Sequence, residues 1–77
     1  MQTAEIQLSS VEAIQRFVTV VNTLDEDVDL GSGSRLIDAK SILGVIAMVR
    51  ADVTKLMLTV HSENSSSLEK LQQFMVA

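Results

Sequence analysis

The stretch Ile37-Asp38-Ala39-Lys40-Ser41-Ile42-Leu43-Gly44-Val45-Ile46 decides how this chain is read. Arg35-Leu36-Ile37-Asp38 has the look of a short strand, and Ser41 is a residue type whose hydroxyl accepts the free N–H groups at a helix start. From Ile42 an apolar run at helical spacing continues to about Val49, with Gly44 inside it. A glycine there costs about 0.5–1 kcal/mol against alanine, so it points to close packing or to close approach of another group. Ile42, Leu43, Val45, Ile46, Met48 and Val49 spread nearly all round this helix. A helix resting on a sheet needs one apolar stripe, so part of the run is expected to face water or a partner.

Working outward, Thr3 to Leu8 alternates, with Ala4, Ile6 and Leu8 on one face, as a half-buried strand does. Ser9 with Glu12 fits a capping box, and Ile14, Phe17, Val18 and Val21 carry a helix to about Thr23, with Leu24 packed under its end. Asp25-Glu26-Asp27 is a solvated turn, Val28 and Leu30 mark a second strand, and Gly31-Ser32-Gly33-Ser34 is a hairpin loop leading to Arg35–Asp38. Beyond the second helix, Arg50-Ala51-Asp52 is a connection and Lys55–His61 a fourth strand with Leu56, Leu58 and Val60 facing in. Glu63-Asn64-Ser65 turns the chain. Ser66 with Glu69 repeats the capping-box pattern, and Leu68, Leu71 and Met75 form the stripe of a third helix. The order β-α-β-β-α-β-α predicts an α+β fold, a four-stranded antiparallel sheet with three helices on one face, as a single domain over residues 1–77.

Composition narrows the function classes. A chain of 77 residues has no cysteine, so neither a disulfide nor a thiolate metal site supports it, and with two aromatic residues its core is Val, Ile, Leu, Met and Ala. A net charge of −4, no basic cluster and no Trp or Tyr argue against nucleic-acid binding, which needs cations for phosphates and aromatic platforms for bases. No apolar run approaches the ~18 residues of a membrane span. Met1–Glu5 lacks the basic and apolar parts of a signal peptide, so a soluble cytoplasmic protein is expected. No nucleophile–base pair, cofactor motif or metal-ligand spacing is present, which predicts a protein without cofactor, metal or catalysis. The acidic group Asp25, Glu26, Asp27, Asp29 lacks calcium-loop spacing. The Gly-Ser loop joins two strands, so it is a hairpin turn and not a phosphate cradle. His61, the only histidine, reads as an exposed residue at a strand end.

Asp38 to Gly44 resembles the regulatory-serine segment of HPr, the histidine-containing phosphocarrier protein of the sugar phosphotransferase system. Arg16-Phe17-Val18 resembles the interior of that family's first helix, and the element order agrees along essentially the whole chain. The resemblance implies an open-faced β-sandwich. In the family a His-Ala-Arg-Pro-Ala type motif opens the first helix, and its histidine carries the phosphoryl group. The matching stretch here is Ser10-Val11-Glu12-Ala13-Ile14, with Ser10 at the histidine's place, Glu12 at the arginine's and Ala13 at the proline's. A serine phosphate is a stable ester and not a transferable phosphoimidazole, and Glu12 repels the dianion that an arginine would bind. The resemblance therefore implies a divergent member without the active-site histidine, in which Ser9 and Ser10 cap a helix.

Ser41 matches the serine that a dedicated kinase phosphorylates in the Gram-positive branch of the family, which makes it the candidate regulatory phosphorylation site. A phosphate at a helix N-terminus gains roughly 0.3–1 kcal/mol or more from the dipole and free amides, and Lys40 stands next to it in sequence. Ile42, Leu43 and Ile46, with Lys40, are the candidate partner-binding residues, since the family docks enzymes and regulators on this helix. The implied partners are proteins of the phosphotransferase system or a serine kinase, and the implied state a monomer or weak homodimer. An alternative is a small ligand-sensing domain of ferredoxin-like, ACT-type topology. The Ser66–Val76 helix argues against it, and strand order separates the two.

Overall fold

A computed structural model describes residues 1–50 and 56–76. Its strands are β1 (Gln2–Ile6), β2 (Val28–Ser32), β3 (Arg35–Asp38) and β4 (Leu56–Val60). Its helices are α1 (Val11–Val21), α2 (Ile42–Arg50) and α3 (Ser65–Glu69), followed by a 3-10 turn at Gln72–Phe74. The strands form one antiparallel sheet in the order β1-β4-β2-β3. The strand last in sequence thus lies between β1 and β2. The ferredoxin-like alternative puts β3, the second strand of the hairpin, in that place.

Side chains alternate across a strand, so one set of cross-strand neighbours faces the helices. Ala4, Leu58, Leu30 and Ile37 lie side by side in one row, with Ile6 beside Leu56 and Val28 beside Val60 in the flanking rows. All of these but Ala4 and Ile37 are buried. Ile14, Phe17, Val18 and Val21 recur on one stripe of α1 and are buried against this face, joined by Val45 and Met48 of α2. Leu71 and Phe74 complete the core, and the Phe74 ring meets the edge of Phe17 with centroids 5.3 Å apart. Such a pair contributes about 0.5–1.5 kcal/mol beyond its buried area. No helix among the described residues is long and apolar enough to cross a membrane.

Three local expectations are corrected. The Ser9–Glu12 capping box does not form, because α1 starts one residue later: Ser10 is the N-cap and its Oγ accepts the Ala13 N–H at 3.0 Å. The third helix is short and is capped by Asn64, not Ser66. Asn64 Oδ1 accepts from both the N–H and the hydroxyl of Ser66. After Glu69 the chain tightens, which carries Phe74 to Phe17 and lets Met75 bridge Ile6. Gln7 N–H donates to Phe74 O and Val76 N–H to Glu5 O, so the outer edge of β1 is covered there rather than left open. The hairpin loop is also shorter than expected, since Ser32 pairs with Arg35 and only Gly33-Ser34 turns. The expected connection at Ala51-Asp52 and the expected strand start at Lys55 lie outside the described residues.

Gly33 sits at φ +59°, in the left-handed region, with no atom near its missing Cβ. Gly33→Ala is therefore expected to cost about 1–2 kcal/mol through backbone strain alone, and Gly33→Asn clearly less, since asparagine visits this region readily. Urea unfolding of the three proteins checks this. An alanine variant as stable as the parent would mean that the turn relaxes to another type.

Candidate functional site

The start of α2 is built by the turn that follows β3. Ala39 is fully buried, and its N–H donates to the Val28 carbonyl at 2.8 Å, which holds the turn against β2. Asp38 uses two acceptors on the same turn: its carbonyl takes the Ser41 N–H at 3.1 Å and its Oδ1 takes the Lys40 N–H at 2.9 Å. Ser41 is then exposed, its Oγ accepting the Gly44 N–H at 3.2 Å and its carbonyl the Val45 N–H at 3.0 Å. The serine is a helix cap, as its sequence position predicted, standing at the positive end of a nine-residue helix. A Cβ on Gly44 would lie 3.4 Å from both Ile37 Cδ1 and Ser41 Oγ, an ordinary contact, so the close approach expected of this glycine is not what the fold requires there.

The apolar residues of α2 divide between inside and outside. Val45 and Met48 are fully buried, while Leu43 is 78% and Ile42 40% exposed. Ile46 is half-buried and packs against the core with Val49, so it flanks the exposed pair. Lys40 does not project toward Ser41. Its Nζ donates to the Leu24 carbonyl at 2.9 Å, just past the end of α1. Asn22, the C-cap of α1, adds a second tie by donating from Nδ2 to both Val18 O (2.8 Å) and Lys40 O (3.1 Å).

These ties put the C-terminal end of α1 at the entry to α2, so Ser10 lies at the far end of α1, about 16 Å along an eleven-residue helix. Ser10, Val11 and Glu12 are all exposed there, and Val11 keeps 66% of its surface. The structure thus does not bring the two candidate serines into one site. Neither hydroxyl is hydrogen-bonded to a histidine or a carboxylate among the described residues, so neither has the base that nucleophilic catalysis needs.

His61 and the acidic turn take up contacts that their sequence positions did not announce. His61 Nε2 lies 2.7 Å from Asp29 Oδ2. Asp29 alternates with buried Val28 and Leu30, so the pair is on the face away from the helices, with the sheet between it and both serines. His61 is exposed, as expected, but paired. The turn at Asp25-Glu26-Asp27 is not wholly solvated: half-buried Glu26 accepts the hydroxyl proton of Ser67, which is 4% exposed and needs an acceptor. No group of three or more His, Asp or Glu among the described residues is arranged to hold a metal ion.

No protein-family model and no curated protein matches this chain. Solved structures do. HPr-C-His from Thermoanaerobacter tengcongensis superposes with a TM-score of 0.77 at 15% identity, over 95% of this chain and 89% of that one. The phosphocarrier protein HPr from Bacillus anthracis str. Ames superposes with a TM-score of 0.76 at 20% identity, over 97% and 96%. The chain therefore has an HPr-like fold along nearly its whole length.

Losing the cap hydroxyl in Ser41→Ala is expected to cost about 1 kcal/mol, whereas Ser41→Asp keeps an acceptor for the Gly44 N–H and stays near parental stability. Gly44→Ala is expected to gain about 0.5 kcal/mol, since the new methyl meets only movable side-chain atoms and the helix gains propensity. Thermal unfolding followed by circular dichroism distinguishes these signs. A destabilised Gly44→Ala would show that the Ile37 contact cannot give.

Proposed function

We propose that this chain is an HPr-like protein of the phosphotransferase system without the phosphoryl-accepting histidine, acting as a non-enzymatic regulatory or interaction protein that is switched at Ser41. The observation that carries this reading is the exposed Ser41 hydroxyl at the start of α2, beside exposed Ile42 and Leu43, on an HPr-like frame. The state of Ser10 supports it. On the resemblance, Ser10 stands where the phosphohistidine would be, and here its oxygen accepts the Ala13 N–H with Glu12 in the same turn. The one histidine of the chain pairs with Asp29 across the sheet.

A phosphate on Ser41 would bring about −1.5 to −2 charge to the positive end of α2 and could take over the Gly44 N–H. The same charge would stand next to Ile42 and Leu43, converting an apolar surface into one with an anionic border. A partner that buries Leu43 then distinguishes the two forms. Lys40 would gain a charge-assisted bond only by leaving the Leu24 carbonyl, so a phosphate that drew Lys40 over would give up one of the two ties between the end of α1 and the start of α2. The partners of this reading are phosphotransferase-system proteins and a serine kinase, met in the cytoplasm as a monomer or weak homodimer.

The test is intact-mass analysis after incubation with ATP and an HPr-type serine kinase, using the parent, Ser41→Ala and Ser10→Ala. One phosphate is expected on the parent and on Ser10→Ala, and none on Ser41→Ala. A phosphate that persists in Ser41→Ala, or none on any of them, removes the switch. Acceptance of phosphate from phosphoenolpyruvate through the general phosphotransferase enzyme I would overturn the reading that the relay is lost.

A further inference from the structure

The face of the sheet turned away from the helices is neither uniformly polar nor flat. Two rows of cross-strand neighbours cover it. One is Thr3, Thr59, Asp29 and Asp38, and the next is Glu5, Met57, Gly31 and Leu36. In the second row Leu36 is 67% and Met57 46% exposed, with a glycine between them. The missing side chain leaves a floor. A Cβ on Gly31 would lie 3.3 Å from Leu36 Cδ1, and the space above is a groove of about 400 Å³ bordered by Leu36, Met57, Glu5 and Arg35. Next to it Asp27, Asp29, Asp38 and His61 border a second hollow of about 290 Å³. His61 pairs with Asp29 only, so the carboxylates outnumber the cations on this face among the described residues.

We propose that this open face is a docking site for an extended polypeptide segment in which a bulky apolar side chain is followed, two residues on, by lysine or arginine. The spacing comes from the sheet itself. Leu36 and Asp38 are two residues apart on β3, about 6.6–6.8 Å, and an extended partner repeats its own same-face side chains at the same interval. An apolar side chain seated over Gly31 between Leu36 and Met57 therefore delivers the next same-face residue to Asp38 and Asp29. A cation there meets two carboxylates of which one is already shared with His61. A second copy of the chain fits less well. It would bring the same acidic row against itself, and four strands spaced about 4.8 Å apart give a face well short of the ~800 Å² per partner of a stable dimer. The proposal does not rest on Ser41, which lies on the other side of the sheet.

Nitrogen-15 NMR titration of the whole protein with two blocked peptides tests it, one alternating threonine with leucine and lysine, the other with glutamate for lysine. Saturable shifts are expected at Gly31, Leu36, Met57, Asp38 and His61 for the lysine peptide, with at least about tenfold weaker binding of the glutamate peptide. Leu36→Ser and Asp38→Asn should each weaken the lysine peptide about tenfold. Both variants should stay folded, since Leu36 is exposed and the asparagine oxygen can still accept the Lys40 N–H. The proposal is overturned if the lysine peptide gives no saturable shift at millimolar concentration, if the glutamate peptide binds equally well, or if the shifts fall on α2. Concentration-dependent dimerisation abolished by Leu36→Ser would likewise overturn it, by giving the face to a second copy.

Discussion

Leu58 lies wholly buried on β4, beside Ala4 of β1 and Leu30 of β2, and the rest of the structure depends on that placement. β4 lies between β1 and β2, so its register sets the sheet. A slip of one residue would turn Leu56, Leu58 and Val60 to the open face and bury Met57 and Thr59, exchanging an apolar row for a mixed one. Its pairings also join segments far apart in sequence, with Gln2 opposite Val60 on one side and Val28 opposite Val60 on the other. Closing these loops costs chain entropy, which the burial of the completed face under α1 and α2 offsets.

With β2 placed by β4, the β3–α2 junction has little freedom left. Buried Ala39 is held by the Val28 carbonyl, the Lys40 ammonium by the Leu24 carbonyl, and the Lys40 carbonyl by Asn22. Three bonds from two elements fix two consecutive residues, and the next residue is Ser41. Its hydroxyl is therefore held in position rather than carried on a loose loop, as the switch proposed for Ser41 requires. Ser10 has no comparable frame. It ends an extended segment and is held by its own helix, through its oxygen and the Ala13 N–H. The two serines are thus both caps but differ in how they are held, Ser10 by its own helix and Ser41 by a turn that other segments also fix.

How much of this was readable beforehand follows from the range of each interaction. The strands at Arg35–Asp38 and Leu56–Val60, the stripe of α1 and the Ser41 cap rest on neighbours within a few positions, and periodicity exposes them. The choice between Ser9 and Ser10, and between Asn64 and Ser66, turns on one or two residues of register that several good capping residues satisfy equally well in sequence. The third helix looked longer because Leu68, Leu71 and Met75 fit helical spacing, while the pull of Phe17 on Phe74 is a tertiary effect. The Lys40–Leu24 bond and the His61–Asp29 pair span 16 and 32 positions, and no local pattern marks them. The open-face groove did leave a signal. Leu36-Ile37 and Leu56-Met57-Leu58 place apolar residues in succession on half-buried strands, so one of each set had to point away from the helices.

Asp38 connects the two sides of the sheet. Its backbone position puts it in the open-face row beside Asp29, yet its carbonyl and one carboxylate oxygen close the turn that seats Ser41. A neutral side chain of the same shape could close that turn as well, because the Lys40 N–H needs only an acceptor. The charge is therefore surplus to the turn, and it also opposes a second negative group placed on Ser41. Water solvates that exposed charge, and on the docking proposed above a cation would meet it from the open side. In that arrangement a cation bound at Asp38 lowers the repulsion that a phosphate on Ser41 would feel, and the phosphate strengthens the hold on the cation by the same free energy, as linkage requires. The sheet would then couple its two faces through one side chain, without any change in the packing of the core.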